Sequence, residues 1–167
     1  MEKCLDRLKQ YLHDHGVACQ TGHHREVFTM QEVAAEIGEK GRYVAKVFIA
    51  SADGNPLMLV LAAPDHVEYE RVRLFLGVEH VERAHEEQLI TRFPDCEVGA
   101  MPPFGNLYGV PVCLDRALAE MSHITFQAGS HRETMTIPTD DYIRIVKPKI
   151  TRFAISMEPA EPAEKAM

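Results

Sequence analysis

Apolar positions along the chain switch between helical and strand spacing, and punctuation residues mark the switches. Leu5, Leu8 and Leu12 recur at i, i+3, i+7, one face of a helix, and Gly16 stands where a helix-ending glycine belongs. A short strand is predicted over 17–20. Thr29 and Glu32 then form a T-x-x-E capping box ahead of Val33, Ala34 and Ile37, with Gly38 as the stop. Residues 43–50 (YVAKVFIA) and 57–63 (LMLVLAA) are apolar, strand-like runs, and Asp53-Gly54 between them is a hairpin signal. Asp65 and Glu68 repeat the capping pattern and predict a helix reaching Leu76, closed by Gly77. Another short helix is predicted over 85–92, within an acidic run (80–87) read as a solvated helix face.

Residues 93–110 read as a loop, carrying Gly99, Pro102, Pro103, Gly105 and Gly109. A strand over 112–114 and a helical turn over 116–121 follow. Residues 124–127 and 133–137 predict a second hairpin, joined across Gly129-Ser130-His131. A closing helix over 139–146 is capped by Thr139 or Asp140. Hairpins outnumber βαβ units, so the predicted fold is a single α/β (α+β) domain over 1–153, its mixed, mostly antiparallel sheet flanked by helices. The end of the chain (157–167, MEPAEPAEKAM) is poor in large apolar residues, and 154–167 is expected to be a flexible tail.

Composition narrows the function. Eighteen Lys and Arg against 25 Asp and Glu leave a net charge of −7, which argues against binding duplex DNA by broad charge neutralisation. The absence of Trp, with 7% aromatics, argues against base-stacking platforms for single strands. The charged N-terminus (MEKCLDRLKQ) carries no apolar signal-peptide core, and the longest apolar stretch, 56–64, is too short to span a bilayer. Cys4, Cys19, Cys96 and Cys113 form no C-x-x-C pair, so a cytoplasmic protein with reduced thiols, away from membranes, is expected.

Three features carry chemistry. Lys46 lies among apolar neighbours, and alternation puts Val44, Lys46 and Phe48 on one strand face. It either snorkels at an edge or presents a fixed cation to a phosphate or carboxylate. The loop from Gly99 through Ala100, Met101, Pro102, Pro103 and Phe104 to Gly105 is either a tight connection or a rigid turn aiming successive N–H groups at a carbonyl oxygen. Gly129-Ser130-His131 is either a hairpin bend or a bend that puts a histidine beside a substrate oxygen or water.

Competing chemistries leave weaker marks. The nine histidines include no H-x-x-x-H pair, and no metal or cofactor is expected. No G-x-S-x-G elbow is present. Cys96 or Cys113 could meet a histidine in space as a nucleophile, although their apolar neighbours favour inert thiols. Arg144, Lys147, Lys149 and Arg152, joined by Lys40, Arg42 and Lys46, are expected to form one local basic surface.

Taken in order, these pieces resemble the YbaK-like aminoacyl-tRNA deacylases, relatives of the editing insert of bacterial prolyl-tRNA synthetase. The resemblance rests on VAKVFI with Lys46, the hairpin ADGNPLMLVLAAP, EEQL at 86–89, the loop CEVGAMPPFG, the strand VPVCLD and the segment FQAGSHRETMTI. It covers about residues 20–150. It implies hydrolysis of the ester joining a mischarged amino acid to the 3′-terminal ribose of tRNA, with no obligatory side-chain nucleophile. By the same resemblance, Lys46 holds the terminal adenosine through its phosphate. Gly99 and Ala100 to Phe104 bind the aminoacyl carbonyl region, and Gly129, Ser130 and His131 position substrate or water. The implied partners are the acceptor end of aminoacyl-tRNA and an aminoacyl-tRNA synthetase. Val47 departs from the Asn or Thr that follows the lysine in some branches, which bears on the amino acid removed. The competing functions are a non-catalytic tRNA-end, amino-acid or protein-binding module on this fold, and an unrelated Cys–His esterase.

Overall fold

The computed structural model describes residues 3–156. The chain runs α1 (Cys4–Asp14), β1 (Gln20–His23), α2 (Met30–Ile37), β2 (Ala45–Ala52), β3 (Asn55–Ala62), β4 (Asp65–Val67) and α3 (Tyr69–Leu76). It continues with β5 (Val81–Arg83), α4 (Glu86–Arg92), β6 (Val112–Asp115), α5 (Arg116–Ala119) and β7 (His123–Gln127). It closes with β8 (Glu133–Pro138), α6 (Thr139–Val146), β9 (Lys149–Thr151) and β10 (Ala154–Ser156).

A five-stranded sheet has the order β5-β2-β3-β6-β9, and a three-stranded sheet the order β1-β8-β7. The pairings β3–β6 and β6–β9 are parallel and the rest antiparallel. The two sheets meet where Val44, just before β2, bridges Thr125 of β7 in parallel.

Alternation along β2 divides the apolar residues between two clusters. Ala45, Val47 and Ile49 join Met58, Val60 and Leu114 in the main core, with Leu8 and Leu12 of α1 and the inward face of the three-stranded sheet. Phe48 and Ala50 join Leu57, Leu59, Leu61, Val72 and Phe153 on the opposite face. Lys46 belongs to this second face. The β2–β3 turn is built as the Asp53-Gly54 pair demands, with φ of 48° and 84°. Asp53 also fastens β5: its carboxylate accepts from the N–H groups of Glu79 and His80.

Several elements differ from the sequence expectation. The first strand begins at Gln20, because Val17 donates its N–H to Leu12 and so completes the end of α1. Asp65 opens no helix. It pairs with Ser156 in β4–β10, and Glu68 caps α3 instead. Within the acidic run, residues 81–83 pair with the edge of β2. The cap position of α6 is Pro138, because β8 runs straight into the helix and makes Thr139 its first turn. β9 was not anticipated.

The ordered chain also extends past 153. Ala154–Ser156 pairs with β4, and buried Asp115 accepts from the N–H groups of Phe153 and Ala154 at 3.0 Å each. Residues 157–167 of the expected tail lie outside the described residues.

Candidate active site

Three short segments converge at the end of β7. Gly99 has φ +86°, a left-handed conformation that favours glycine, and a Cβ there would lie 3.6 Å from Cε1 of His131. The loop and the bend are tied by backbone: Glu97 donates to Gly129 O at 2.8 Å, and Gly129 donates to Ala100 O at 2.9 Å. Gly129 has φ +94°, and any Cβ on it would collide with Cys4. The bend therefore needs glycine for both conformation and space. Ser130 Oγ accepts from the N–H of Arg132 and closes the turn.

His131 is buried, and its protonation geometry follows from its partners. Nε2 lies 2.9 Å from the carbonyl oxygen of Val98. A carbonyl only accepts, so Nε2 carries the hydrogen, and in the neutral ring Nδ1 is a bare acceptor. Nδ1 is buried without a hydrogen-bond partner. The exposed Phe28 ring lies against the imidazole at 4.9 Å between centroids. The sequence reading missed Phe28, because a single aromatic ahead of a capping box carries no periodicity.

The loop differs from a row of successive donors. The N–H of Ala100 is taken by Glu97 O, and that of Gly129 by Ala100 O. Gly99 itself is exposed, and its N–H donates to no acceptor among the described residues. Ala100, Met101, Pro102, Pro103 and Phe104 are all buried. Met101 and Phe104 face the main core, where Phe104 meets Phe126 and Tyr142 edge-on. The Tyr142 hydroxyl donates to Pro103 O. These side chains brace the loop from behind rather than lining an open surface.

Lys46 is half-buried, its Nζ 5.6 Å from the Phe48 ring centroid, with Arg83 on the same ring at 4.7 Å. Burial pulls its ammonium below the ordinary lysine value, and the nearby charge of Asp65 opposes that pull. Val44, two residues before Lys46, bridges Thr125, two residues before Gln127.

Of the cations read together as one basic surface, Arg144 lies apart from Lys46 and Lys149. Lys149 shares the sheet face of Lys46, but β9 stands three strands from β2, about 14 Å at ~4.8 Å per strand. Arg144 pairs with Asp141 and reaches His15 O, over α1. Among the described residues no thiol hydrogen-bonds a histidine. Cys113 sits in the second apolar cluster, and burial pushes its thiol up. The polar partners of Cys96 are Cys4, Asp95 and Tyr108. Its hydrogen bond to Cys4, then burial, raises its pKa.

A cleft of about 1060 Å³ lies elsewhere, lined by Arg7, Ser51, Gln88, Arg92 and Tyr108 among others, and holds none of the predicted site residues. Among the described residues no three His, Cys, Asp or Glu side chains converge as a metal site. Among them, too, no helix is long and apolar enough to cross a membrane.

Known proteins share the family and the fold. The family model described as "Aminoacyl-tRNA editing domain" matches residues 24–145. The "Multifunctional Ser/Thr-tRNA deacylase ProXp-y" of Escherichia coli K12 is 25% identical over 114 residues, 65% of this chain and 68% of that protein. The solved structure "Crystal structure of a putative trans-editing enzyme for prolyl tRNA synthetase" superposes with TM-score 0.79 at 13% identity, over 93% of this chain and 99% of that one. The hypothetical protein APE2540 superposes with TM-score 0.81 at 14% identity, over 89% and 99%. This chain therefore belongs to the aminoacyl-tRNA editing domain family and is an aminoacyl-tRNA deacylase.

Proposed function

We propose that Lys46, Gly99 and His131 carry the deacylation, with water as the nucleophile and a hydroxyl-bearing amino acid as the group removed. The observation that carries this reading is the fixed tautomer of His131, whose Nδ1 is bare and whose Cε1 edge faces the exposed Gly99. Nδ1 accepts a hydrogen from the attacking water. The water oxygen bonds to the ester carbonyl carbon, and the N–H of Gly99 donates to the carbonyl oxygen as it gains charge. The carbon–oxygen bond to the 3′-terminal ribose then breaks, the ribose oxygen takes up a proton, and tRNA and the free amino acid leave.

The ammonium of Lys46 binds the phosphate of the terminal adenosine. Partial burial suits that role, because a desolvated cation attracts an anion more strongly than an exposed one. Gly129 and Ser130 shape the bend, and Ala100 to Phe104 hold the loop rigid. An aminoacyl ester is an activated bond, so positioning and a well-aimed donor supply much of the acceleration.

The hydroxyl-bearing substrate follows the Ser/Thr designation of the E. coli relative. Action in trans, beside an aminoacyl-tRNA synthetase, follows the designation of the trans-editing structure that shares this fold, and the cytoplasm is the compartment that reading implies. The test is a deacylation panel over tRNAs charged with Ser, Thr, Ala, Cys or Pro, run with Lys46→Ala and His131→Ala. Clearance of Ser or Thr esters by wild type, with at least about hundredfold lower rates in both variants, is expected. Wild-type rates in folded variants overturn the assignment. Binding of acceptor-end RNA without hydrolysis of any ester replaces it with a binding module.

A further inference from the structure

Gln127 is the last residue of β7 and is only 2% exposed, yet neither its Oε1 nor its Nε2 has a hydrogen-bond partner. Its face of the three-stranded sheet is polar although buried. Ile124 and Phe126 turn toward the main core with Met135 and Ile137, while Thr125, Gln127, Thr134 and Thr136 turn the other way. The Thr125 and Thr136 hydroxyls satisfy each other at 2.6 Å. Gln127 pairs in register with Thr134, which pairs with Gly22 of β1. A Cβ on Gly22 would press Thr134 Oγ1 at 2.9 Å, so the row is kept free of bulk at that end. Near the other end Val44, two residues before Lys46, bridges Thr125, two residues before Gln127, and His131 follows four residues after Gln127 with its own bare acceptor.

A buried carboxamide without a partner is costly, and an apolar side chain of similar volume avoids that cost. The amide therefore makes sense as half of an interaction that a ligand completes. It offers an acceptor and donors together. A hydroxyl both donates and accepts and matches that pair, whereas a methyl group leaves the amide unsatisfied.

We propose that Gln127 is a specificity-determining residue that hydrogen-bonds the side-chain hydroxyl of the aminoacyl group. Oε1 accepts from the hydroxyl, or Nε2 donates to its oxygen. The inference rests on the active site proposed above, because it takes the aminoacyl group to lie between Lys46 and His131. A site built to bond a hydroxyl rejects the analogue lacking it more strongly than an apolar pocket rejects an extra methylene.

The test compares wild type, Gln127→Met and Gln127→Leu on Ser-tRNA, Thr-tRNA and Ala-tRNA, with the melting temperature of each protein. The expected result is a fall of about tenfold or more in kcat/KM on the Ser and Thr esters, a narrowed preference for Ser over Ala, and a melting temperature equal to or above wild type. An unchanged Ser-to-Ala ratio overturns the inference alone and leaves the active site standing. Unfolding or a clear loss of melting temperature in both variants also overturns it, because the amide would then have an internal role. Failure of wild type to clear any of the three esters removes the substrate class proposed above, and this inference with it.

Discussion

Lys46 and Gly99 show how single positions trade stability for a site. Burial lowers the Lys46 pKa, so between its folded and unfolded values the unfolded chain binds more protons, and stability rises with pH across that interval. Below the folded value the cost of burying the charge is fully present. We therefore expect Lys46→Met to melt no lower than wild type at pH 7, with a flatter alkaline stability profile, while deacylation collapses; calorimetry against pH with a parallel rate assay checks this. At Gly99 an added Cβ meets only an ordinary contact with His131, so the strain lies in φ. Gly99→Ala should cost about 1 kcal/mol or somewhat more and alter which esters are cleared, read by denaturant unfolding and the substrate panel. Lys46, Gly99 and His131 were all legible as residue types set against their surroundings: a cation among apolar neighbours, a glycine before two prolines, a histidine after a bend. Gln127 was not, since within FQAGSHRE it reads as an ordinary strand residue. The role proposed for it rests on the lack of partners around it.

At the scale of elements, local signals worked where an element is closed by its own sequence. The Thr29–Glu32 capping box is made in full, with Gly38 left-handed at the end of α2. The Asp53-Gly54 turn sets the β2–β3 register from Ala45 opposite Ala62 to Ala52 opposite Asn55. Signals failed where the partner is remote. Asp65 looks like a cap until β10 arrives from the end of the chain and makes β4 a strand. Asp115 is the device that permits this: 1% exposed, it caps α5 through the Ala117 N–H and holds Phe153 and Ala154. Asp115→Ala leaves those N–H groups without their acceptor, and a loss of about 3 kcal/mol or more is expected in chemical denaturation. Asp53 has an exposed counterpart of the role. The Glu79 and His80 N–H groups hold its carboxylate below the usual range, so the stability it lends is present at neutral pH and is lost as pH falls through that lowered value. Asp53→Ala should flatten that acid limb, as seen in melting temperature against pH.

For the molecule as a whole, a net charge of −7 leaves few phosphate contacts for tRNA. Binding to acceptor-end RNA should weaken only gently with salt, with a log–log slope of about −1 to −2, and Lys46→Ala should reduce its magnitude by about 1. Titrations from low to high salt measure both. Rates in EDTA should equal rates without it, and zinc-restored loss would defeat the water mechanism. The sequence by itself determined the capped ends of α2, the two hairpins, the mixed sheet and the family, because each depends on neighbours a few residues apart or on an ordered string of local motifs. Tertiary structure alone decided which cations share a surface, which loop N–H groups are free, which histidine nitrogen is bare and which buried amide lacks a partner. These depend on chains that meet from opposite ends of the sequence, and hydrogen-bond satisfaction is a property of the meeting rather than of either chain.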